Sequence, residues 1–311
     1  MRYWFLIITM MTATVATRGQ EQLQTVVDDA WQGARGYHFS GRLTEIRSAP
    51  GKDSSRLSAL YRNTRMLLTS GEEGVVTWRV ALNEWSLRVD EHGYWELAAS
   101  QALDLAPGWH DIESKPVAST QAGLLIVDPR NQVGIITDID DTVLVSDVLS
   151  KRALLKNSLT VPAEQREAVA SMAALYAHVL KANPAPESSA VFYVSSSPRQ
   201  LTDNLRRFLR ANAFPRGVLQ LKEVGSGSAD SMGEHESYKI RRIETILADF
   251  PQTKFYLFGD NGEHDPEIYN AIVTKYPDRI VGVWIHQVDL DIKRRVYPGQ
   301  HDVKELLGGE K

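Results

Sequence analysis

The chain of 311 residues is predicted to be an α/β protein in which a small β-sandwich precedes a parallel sheet covered by helices on both faces. Its N-terminal third alternates apolar and polar residues in short runs between turns, as antiparallel strands with one solvent-exposed face do. From about Leu124 onward, nearly continuous apolar runs alternate with helical patterns, which is typical of parallel strands buried on both faces. A chain of this length has room for both units.

The composition excludes several classes of function. The chain has no cysteine, so a disulfide framework, a thiolate nucleophile and a cysteine-ligated metal are all excluded. An apolar content of 43% and a charged content of 24% are ordinary for a soluble globular protein. The formal net charge of -4 lacks the basic footprint of a nucleic-acid-binding protein, so we expect no nucleic-acid partner.

Residues 1–17 have the layout of a secretory signal peptide. Arg2 precedes an apolar run that ends near Met11, small residues follow, and cleavage is expected after Ala16 or Thr17. The run is shorter than the roughly 20 apolar residues that span a bilayer. We therefore expect an exported protein, periplasmic or secreted. The alternative is a chain tethered to the membrane by an uncleaved N-terminal segment.

Residues 18–123 are predicted to form the first domain, beginning with a short helix. Apolar residues recur at helical spacing in its first segment, and they are Leu23, Val26, Val27, Ala30 and Trp31. Strand-like alternation follows between turn-rich stretches, in the segments YHFSGRLTEI, VVTWRVAL, EWSLRVD and GYWELAAS. Together these segments predict the small β-sandwich.

Tryptophan is concentrated in the N-terminal half, which holds Trp31, Trp78, Trp85, Trp95 and Trp109. We interpret these side chains as core residues of a small domain, since large aromatic side chains bury much apolar area. The alternative is an aromatic surface that contacts lipid or another ligand.

Residues 124–311 are predicted to form the second domain, built on the parallel sheet. Its predicted strands are short apolar runs rich in β-branched and aromatic residues, namely VGIITDI, AVFYVSSS, GVLQLKEV, KFYLFGD and RIVGVWI. Between them, three segments around Tyr176, Leu205 and Ile243 have apolar residues at helical spacing. Ligands of such sheets bind beyond the carboxyl ends of the strands, so functional residues are expected to follow these runs.

Polar residues of complementary chemistry follow three of the predicted strands. Carboxylates from two strands are hard oxygen ligands of the kind that Mg²⁺ takes, and a lysine and a hydroxyl could hold phosphoryl oxygens. One carboxylate could attack phosphorus while another protonates the leaving oxygen. A solvated acidic turn is the alternative for the first group. The residues are Asp138, Asp140, Asp141 and Thr142, then Ser195, then Lys239, and finally Asp260, Asn261, Glu263 and Asp265.

The order D-x-D-x-T, a serine after a strand, a lysine and G-D-x-x-x-x-D resembles the four motifs of the haloacid dehalogenase (HAD) superfamily of phosphotransferases. A finer resemblance runs from about Gly134 to Val288 and rests on segments such as FYVSSSP, FPRG and GDNGEHDPEIY. It is to the actin-patch-protein type of phosphatidate phosphatase, a relative of the lipins. The resemblance implies a Rossmann-like HAD sheet and Mg²⁺-dependent conversion of phosphatidate to diacylglycerol.

Carried over to this chain, the resemblance assigns the chemistry to the first motif. Asp138 resembles the nucleophile and Asp140 the general acid and base. Asp138 and the main-chain carbonyl of Asp140 are then expected metal ligands. Thr142 is expected to support Asp140 and its loop and to contribute a substrate-binding hydroxyl. Asp141 is expected to stabilise the loop or to face solvent.

The remaining motifs supply binding groups in the same resemblance. Ser195 is similar to the phosphate-binding hydroxyl, with its neighbour Ser196 as the alternative. Lys239 resembles the lysine that neutralises the nucleophile and the phosphate. Asp260 resembles the second metal carboxylate, and Asp265 completes the fourth motif as a further expected metal ligand.

Two positions depart from the pattern of the phosphatidate phosphatase relatives. Arg199-Gln200 stands where they carry Trp-Asn, and Ile285-His286 stands where they carry Ile-Arg. Both pairs lie outside the four motifs, so we expect them to affect substrate recognition and not the chemistry.

The predicted function is a Mg²⁺-dependent phosphatase that acts on phosphatidate through a phospho-aspartate intermediate. The alternatives are a phosphatase of soluble phosphomonoesters and, from another class, a non-catalytic protein that binds phosphatidate or membrane. The cations of the clusters RRFLR and KRR are expected to be solvated, with peripheral contact to an anionic membrane as the alternative. The sequence does not indicate an oligomeric state.

Overall fold

The computed structural model describes residues 23–45, 71–100, 103–118, 121–145, 166–223, 235–288 and 295–307. The predicted signal peptide lies outside these ranges, as do Lys293 and Arg294 of the KRR cluster, so the predictions on them stay predictions. Within the described ranges, no helix combines the length and the apolar character that crossing a bilayer requires.

One curled sheet holds the strands of the N-terminal region: β1 (Leu23–Val27), β2 (Ala30–Gly33), β3 (Gly36–Glu45), β4 (Gly74–Val80), β5 (Asn83–Val89), β6 (Tyr94–Ala99), β7 (Gly108–Lys115) and β8 (Ala122–Ile126). Their hydrogen-bonded order is β1-β3-β2-β8-β7-β4-β5, and β6 pairs with β3. β2 and β8 run parallel, and the other pairs of these strands run antiparallel.

A small β-sandwich was predicted for this region, and the structure gives one curled sheet, because β7 pairs with strands on both of its sides. Residues 108–112 of β7 pair with β8, and residues 113–115 pair with β4. A strand that passes from one layer to the next forms a corner between them. Strands on the two sides of this corner share one core, in which Phe39 of β3 packs against Trp78 of β4 with ring centroids 5.7 Å apart.

The predicted leading helix is wrong, since its residues form β1 and β2. Thr25, Val26 and Val27 are β-branched, and such residues favour extended backbone. Every residue of β1 has a partner in β3, so long-range pairing determined the conformation where a short apolar pattern was ambiguous. The pattern still identified buried positions, because Val27, Ala30 and Trp31 are at most 5% exposed.

A second sheet is parallel throughout, which confirms the predicted parallel sheet. In spatial order its strands are β11 (Val218–Lys222), β10 (Val191–Pro198), β9 (Val133–Thr137), β12 (Lys254–Asp260), β13 (Ile280–His286) and β14 (Gln300–Asp302). The predicted strands correspond to β9 to β13, whereas β14 was not predicted. The domain boundary predicted after residue 123 falls inside β8, which belongs to the curled sheet.

Helices cover both faces of the parallel sheet. They are α1 (Met172–Leu180), α2 (Thr202–Ala211), α3 (His235–Asp249), α4 (Asp265–Lys275) and α5 (Val303–Leu307). Side chains of α1, α2 and α5 contribute to the apolar core on one face, and those of α3 and α4 to the core on the other. Strands outnumber helices in the described ranges, so the class is mixed α/β with a curled sheet and a parallel sheet.

Tryptophans contribute to both cores. Trp78 and Trp95 stack in the core of the curled sheet with ring centroids 4.7 Å apart. Trp31, although it belongs to β2, packs into a core of the parallel sheet. The interpretation of tryptophans as core residues is confirmed for these three, while Trp85 and Trp109 are half-buried.

The contact between the two sheets is charged as well as apolar. Asp249, the last residue of α3, accepts hydrogen bonds from Trp31 Nε1 at 3.0 Å and from Arg35 Nε at 2.8 Å. Arg206 of α2 donates to Asp29 Oδ2 at 2.9 Å, and its side chain is 8% exposed. The expectation that the RRFLR arginines are solvated is therefore wrong for Arg206. It is confirmed for Arg207 and Arg210, which are exposed.

Candidate active site

The site lies at the carboxyl ends of β9 and β12, the two central strands of the parallel sheet. Asp138 follows directly after β9, and Asp260 is the last residue of β12. The amide of Asp138 donates to the carbonyl oxygen of Phe258 at 2.9 Å, so the chain leaves β9 while still held against β12. Parallel pairing thus places two aspartates that are far apart in sequence at one edge of the sheet.

Three buried carboxylates converge at this edge. Carboxylate oxygens of Asp138, Asp260 and Asp265 lie within 4.8 Å of one another, and each residue is at most 1% exposed. Asp265 is the first residue of α4, and its Oδ2 accepts a hydrogen bond from the amide of Asp260 at 3.3 Å. Gly259 permits this approach, because a Cβ atom there would lie 2.7 Å from the Asp265 side chain.

Lys239 of α3 is the cation beside these carboxylates. Its Nζ lies 2.7 Å from Asp138 Oδ1 and 2.6 Å from Asp265 Oδ1, and 3.8 Å from Glu263 Oε2. Burial alone would lower the pKa of Lys239, but Asp138 and Asp265 raise this pKa well above its usual value. The lysine is therefore held as a buried ammonium group.

The carboxylate of Asp140 is not one of the three and contacts serines of β10 instead. Its Oδ2 accepts hydrogen bonds from Ser195 Oγ at 3.1 Å and from Ser197 Oγ at 3.0 Å. The amide of Ser197 in turn donates to Ser195 Oγ at 2.9 Å. Sequence reasoning missed Ser197, although alternate residues of an extended strand share a face. Because the carboxylate of Asp140 is held by these serines, its main-chain carbonyl oxygen is the atom of this residue that stays a predicted metal ligand.

Two of the predicted binding hydroxyls, Thr142 Oγ1 and Ser196 Oγ, are buried and have no hydrogen-bond partner among the described residues. Thr142 was expected to support Asp140, but the hydroxyls that hold this carboxylate belong to Ser195 and Ser197. Ser195 and Ser197 take this role because both lie on β10 and their hydroxyls reach the same carboxylate oxygen of Asp140.

The chain turns sharply after Asp140. Asp141 has a φ of 59°, in the left-handed region, and its amide donates to the carbonyl oxygen of Leu144 at 2.8 Å. Its own carbonyl oxygen lies 2.7 Å from His286 Nδ1 at the end of β13. His286, one of the departures from the relatives' pattern, therefore contacts the loop of the first motif.

The clustered carboxylates carry negative charge in excess of the cations around them. Burial raises the pKa of Asp138 well above its usual range, Lys239 opposes this rise, and the neighbouring aspartates reinforce it. Burial and the charge of Asp265 raise the pKa of Asp260 to about 8. Without a further positive charge, at least part of this cluster is protonated near neutral pH.

The cluster fits a divalent cation that takes oxygen ligands. Asp138 Oδ2 and Asp260 Oδ2 are buried and have no hydrogen-bond partner among the described residues. An unpaired buried carboxylate oxygen is costly, and a cation beside both oxygens would offset that cost and lower both pKa values. Asp138, Asp260 and Asp265 are the side chains that would hold such a metal.

Arg166 is a buried basic residue near the site that sequence reasoning missed. It precedes α1 and is 9% exposed. Burial lowers the pKa of Arg166 and the charge of Asp140 raises it, so the two groups interact electrostatically. Arg166 lies between the first two motifs in a stretch without a motif of its own, and no pattern distinguished it from a solvated arginine.

Residues 133–287 match the family model described as "Phosphatidate phosphatase APP1, catalytic domain". This segment is similar to the phosphatidate phosphatase type. The matched range begins with β9 and extends past β13, so it includes the clustered carboxylates, the serines of β10 and Lys239. It excludes the curled sheet.

Two curated relatives each match part of the chain. Phosphatidate phosphatase APP1 of Saccharomyces cerevisiae is 33% identical over 154 residues, which is 49% of this chain and 25% of that protein. An uncharacterized protein of Schizosaccharomyces pombe is 27% identical over 183 residues, which is 58% of this chain and 29% of that protein. The chain thus spans less than a third of the length of these relatives.

Among solved structures, a carbohydrate acetylesterase from Xanthomonas citri is 10% identical, covering 89% of this chain and 70% of that chain with a TM-score of 0.28. This likeness is too low to bear on fold or function.

Proposed function

We propose that this protein is a phosphoric monoester hydrolase that removes phosphate from a phosphatidate-type lipid and leaves diacylglycerol. The observation that carries the proposal is the buried group of Asp138, Lys239 and Asp260, with Asp140 two residues after Asp138, at the carboxyl ends of parallel strands. The similarity of residues 133–287 to a phosphatidate phosphatase catalytic domain supports the choice of substrate.

Asp138 acts as the nucleophile in this proposal. Its carboxylate attacks phosphorus, a bond forms between Asp138 and the phosphoryl group, and the bond from phosphorus to the alcohol oxygen breaks. The Lys239 ammonium group, 2.7 Å from Asp138, favours the ionised carboxylate and lies close enough to offset charge on the phosphoryl oxygens. The pKa of Asp138 is raised in spite of Lys239, so this one cation does not fully offset burial and the charges of the neighbouring aspartates.

Asp140 acts as general acid and then as general base. Burial and the charge of Glu263 raise the pKa of Asp140, which favours the protonated form that donates to the leaving alkoxide. In the second half of the reaction, Asp140 takes a proton from the water that attacks the phospho-aspartate, so phosphate is released and Asp138 is regenerated. The hydrogen bonds from Ser195 and Ser197 keep the carboxylate oriented for both steps.

A magnesium ion is part of the proposal, with Asp138, Asp260, Asp265 and the carbonyl of Asp140 as its candidate ligands. Bound there, Mg²⁺ would supply positive charge next to the nucleophile and to phosphoryl oxygens. The unpartnered buried oxygens of Asp138 and Asp260 support this placement.

The Rossmann-like HAD layout also belongs to the proposal. It is supported by a parallel sheet with helices on both faces and by the order of the motifs along it. Asp138 follows β9, Ser195 lies in β10, Lys239 lies in α3 and Asp260 ends β12. A phospho-aspartate trapped on Asp138, identified by mass spectrometry after rapid quenching, would support this mechanism directly.

The test is phosphate release by the purified protein from phosphatidate, lysophosphatidate and soluble phosphomonoesters, with and without Mg²⁺, with Asp138→Asn as the inactive control. We expect Mg²⁺-dependent release that is fastest from phosphatidate. Release from soluble substrates alone would favour the soluble phosphatase. Binding to phosphatidate vesicles without any release would overturn the proposal in favour of a non-catalytic binding protein.

A further inference from the structure

The serines that hold Asp140 belong to residues 195–199, the serine loop, which comprises the last residues of β10 and the first residue of the turn that follows. This segment is anchored to the curled sheet. Ser195 and Ser197 donate to Asp140, and Arg199 follows two residues later as the first residue of a short 3₁₀ turn before α2. Thr202 Oγ1 donates to the carbonyl oxygen of Arg199 at 2.8 Å, which ties this turn to the first residue of α2.

Arg199 is buried in a cage of carboxylates. Its side chain is 6% exposed and forms ion pairs with Asp28 and with Glu223. Glu96 Oε1 lies 3.9 Å from its Nη1, and the guanidinium carbon lies 5.3 Å from the centre of the Tyr94 ring. Glu223 follows β11, whereas Asp28, Tyr94 and Glu96 belong to the curled-sheet region, so Arg199 links the two sheets.

Asp28 is itself held firmly. Its Oδ2 accepts a hydrogen bond from Ser40 Oγ at 2.8 Å, and its amide donates to the carbonyl oxygen of Ser40 at 3.0 Å. Thr202 Oγ1 lies 3.4 Å from Asp28 Oδ1. Asp28, a partner of Arg199, is therefore held in place by hydrogen bonds to Ser40 of β3 in the curled sheet.

We infer that Arg199 is a positioning residue through which the curled sheet sets the place of the serine loop, and hence of Asp140. This inference rests on the proposed function for its kinetic consequence. Arg199 belongs to one of the two pairs that depart from the relatives' pattern, and this pair was expected to affect substrate recognition. The inference gives Arg199 a different role, because its side chain is buried between protein carboxylates. Arginine suits this role since its planar guanidinium can bind two carboxylates at once.

A second buried arginine at the same contact provides a matched control. Arg206 pairs with Asp29 at 2.9 Å and donates to the carbonyl oxygen of Val27 at 2.9 Å, and its side chain is 8% exposed. It spans the same two sheets as Arg199 but lies within α2, past the serine loop. Loss of either arginine removes a cation from beside buried carboxylates, so both changes should destabilise the protein.

The experiment compares Arg199→Met with Arg206→Met in the full chain. We expect similar falls in melting temperature, but a kcat about tenfold to a hundredfold lower, at a KM within about twofold, for the Arg199 variant alone, because small displacements of reacting groups have effects of that size. Arg199→Lys is expected to restore part of kcat, and Asp28→Asn to reproduce the loss more mildly if Arg199→Met does not fold.

Hydrogen exchange gives a second readout that needs no turnover. The amides of residues 196–202, including that of Ser197, should exchange faster in Arg199→Met than in the wild type and should be unchanged in Arg206→Met. Equal kcat and equal exchange in the two variants would overturn the inference and make Arg199 an ordinary interface residue. If the wild type releases no phosphate, the proposed function fails, and the exchange data alone decide whether Arg199 anchors the loop.

Discussion

Two groups of buried aspartates differ in their electrostatics: the pKa values of Asp138 and Asp260, at the carboxyl ends of the parallel strands, shift in the opposite direction to those of Asp28 and Asp249, at the contact between the two sheets. In the first region, burial raises the pKa of Asp138 well above its usual range and raises that of Asp260 to about 8. In the second region, burial also acts to raise the pKa values of Asp28 and Asp249, but cations and hydrogen-bond donors outweigh it and lower both.

The difference lies in the number of positive charges near each carboxylate. At the contact between the sheets, Asp28 pairs with Arg199, and Asp249 accepts hydrogen bonds from Arg35 and Trp31. At the site, the clustered aspartates share only Lys239 among the cations that the structure describes next to them. A complete charge network stabilises a fold, whereas a cluster with excess negative charge is suited to bind a cation and a substrate.

The largest expected effect comes from Asp138→Asn. We expect kcat to fall by at least about 10³-fold, since the nucleophile is lost, while the melting temperature of the metal-free protein stays equal or rises. Stability should not fall because the change removes one of several repelling buried carboxylates. Steady-state phosphate release and thermal unfolding measure the two quantities, and a variant that retains a tenth of the activity would end the assignment of Asp138.

The next effect concerns metal removal. EDTA should abolish activity and Mg²⁺ should restore it. Added Mg²⁺ should also stabilise the wild type, by about 2.7 kcal/mol at a concentration of 100 times its Kd. Asp260→Asn should weaken this thermal shift and Asp249→Asn should leave it intact, because only the first removes a candidate ligand. A Mg²⁺-induced shift that is the same in both variants would place the metal elsewhere.

A smaller effect is expected at the contact between the sheets. Asp249→Asn should lower the free energy of unfolding by about 2–4 kcal/mol, because it removes a charged acceptor shared by Arg35 and Trp31. Activity per folded molecule should not change, since the residue is not part of the site. Urea unfolding and kcat, measured on the same preparation, test this contrast, and a selective loss of kcat would break it.

The smallest effect is a pair of pH dependences with opposite sign, measured without metal. The lowered pKa of Asp249 stabilises the fold above the ordinary aspartate pKa of 3.8, and this contribution should disappear as pH falls below about 4. The raised pKa of Asp260 acts in reverse, because the folded state keeps a proton that the unfolded state releases. Its contribution should therefore become less favourable as pH rises from about 4 to 8.

Each pH dependence is measured as the difference in free energy of unfolding between the wild type and one variant. The stability of the wild type minus that of Asp249→Asn should shrink toward acid pH, whereas the stability of the wild type minus that of Asp260→Asn should fall as pH rises toward 8. Slopes of the same sign in the two differences would contradict the electrostatic contrast between the regions.

The site residues that follow a local sequence pattern could be predicted from the sequence. The apolar run before Asp138 and the run that ends in Asp260 predicted parallel strands, and such strands place their carboxyl ends at one edge. The structure brings these aspartates, Lys239 and Asp265 together. Ser197 was missed because its role depends on where the side chain of Asp140 points, which no spacing rule gives.

The residues whose conformation or burial depends on long-range contacts could not be predicted from the sequence. The segment from Leu23 to Trp31 fits a helical pattern locally, yet it forms strands because its partners lie in β3 and β8. Arg206 reads as one of several solvated helix arginines, yet Asp29 of a distant strand connection holds it in the interior. In both cases the deciding energy comes from groups that are remote in sequence.

The sequence by itself determined which residue types form the candidate site, because the motifs specify residue types at strand ends and alternating strands and helices specify where those ends meet. Only the tertiary structure decided the charge balance. Whether a buried aspartate has a raised or a lowered pKa depends on which cations fold against it, as Arg199 does for Asp28. Electrostatic interactions in a low-dielectric interior act through space and not along the chain, so this property emerges only when the two sheets pack together.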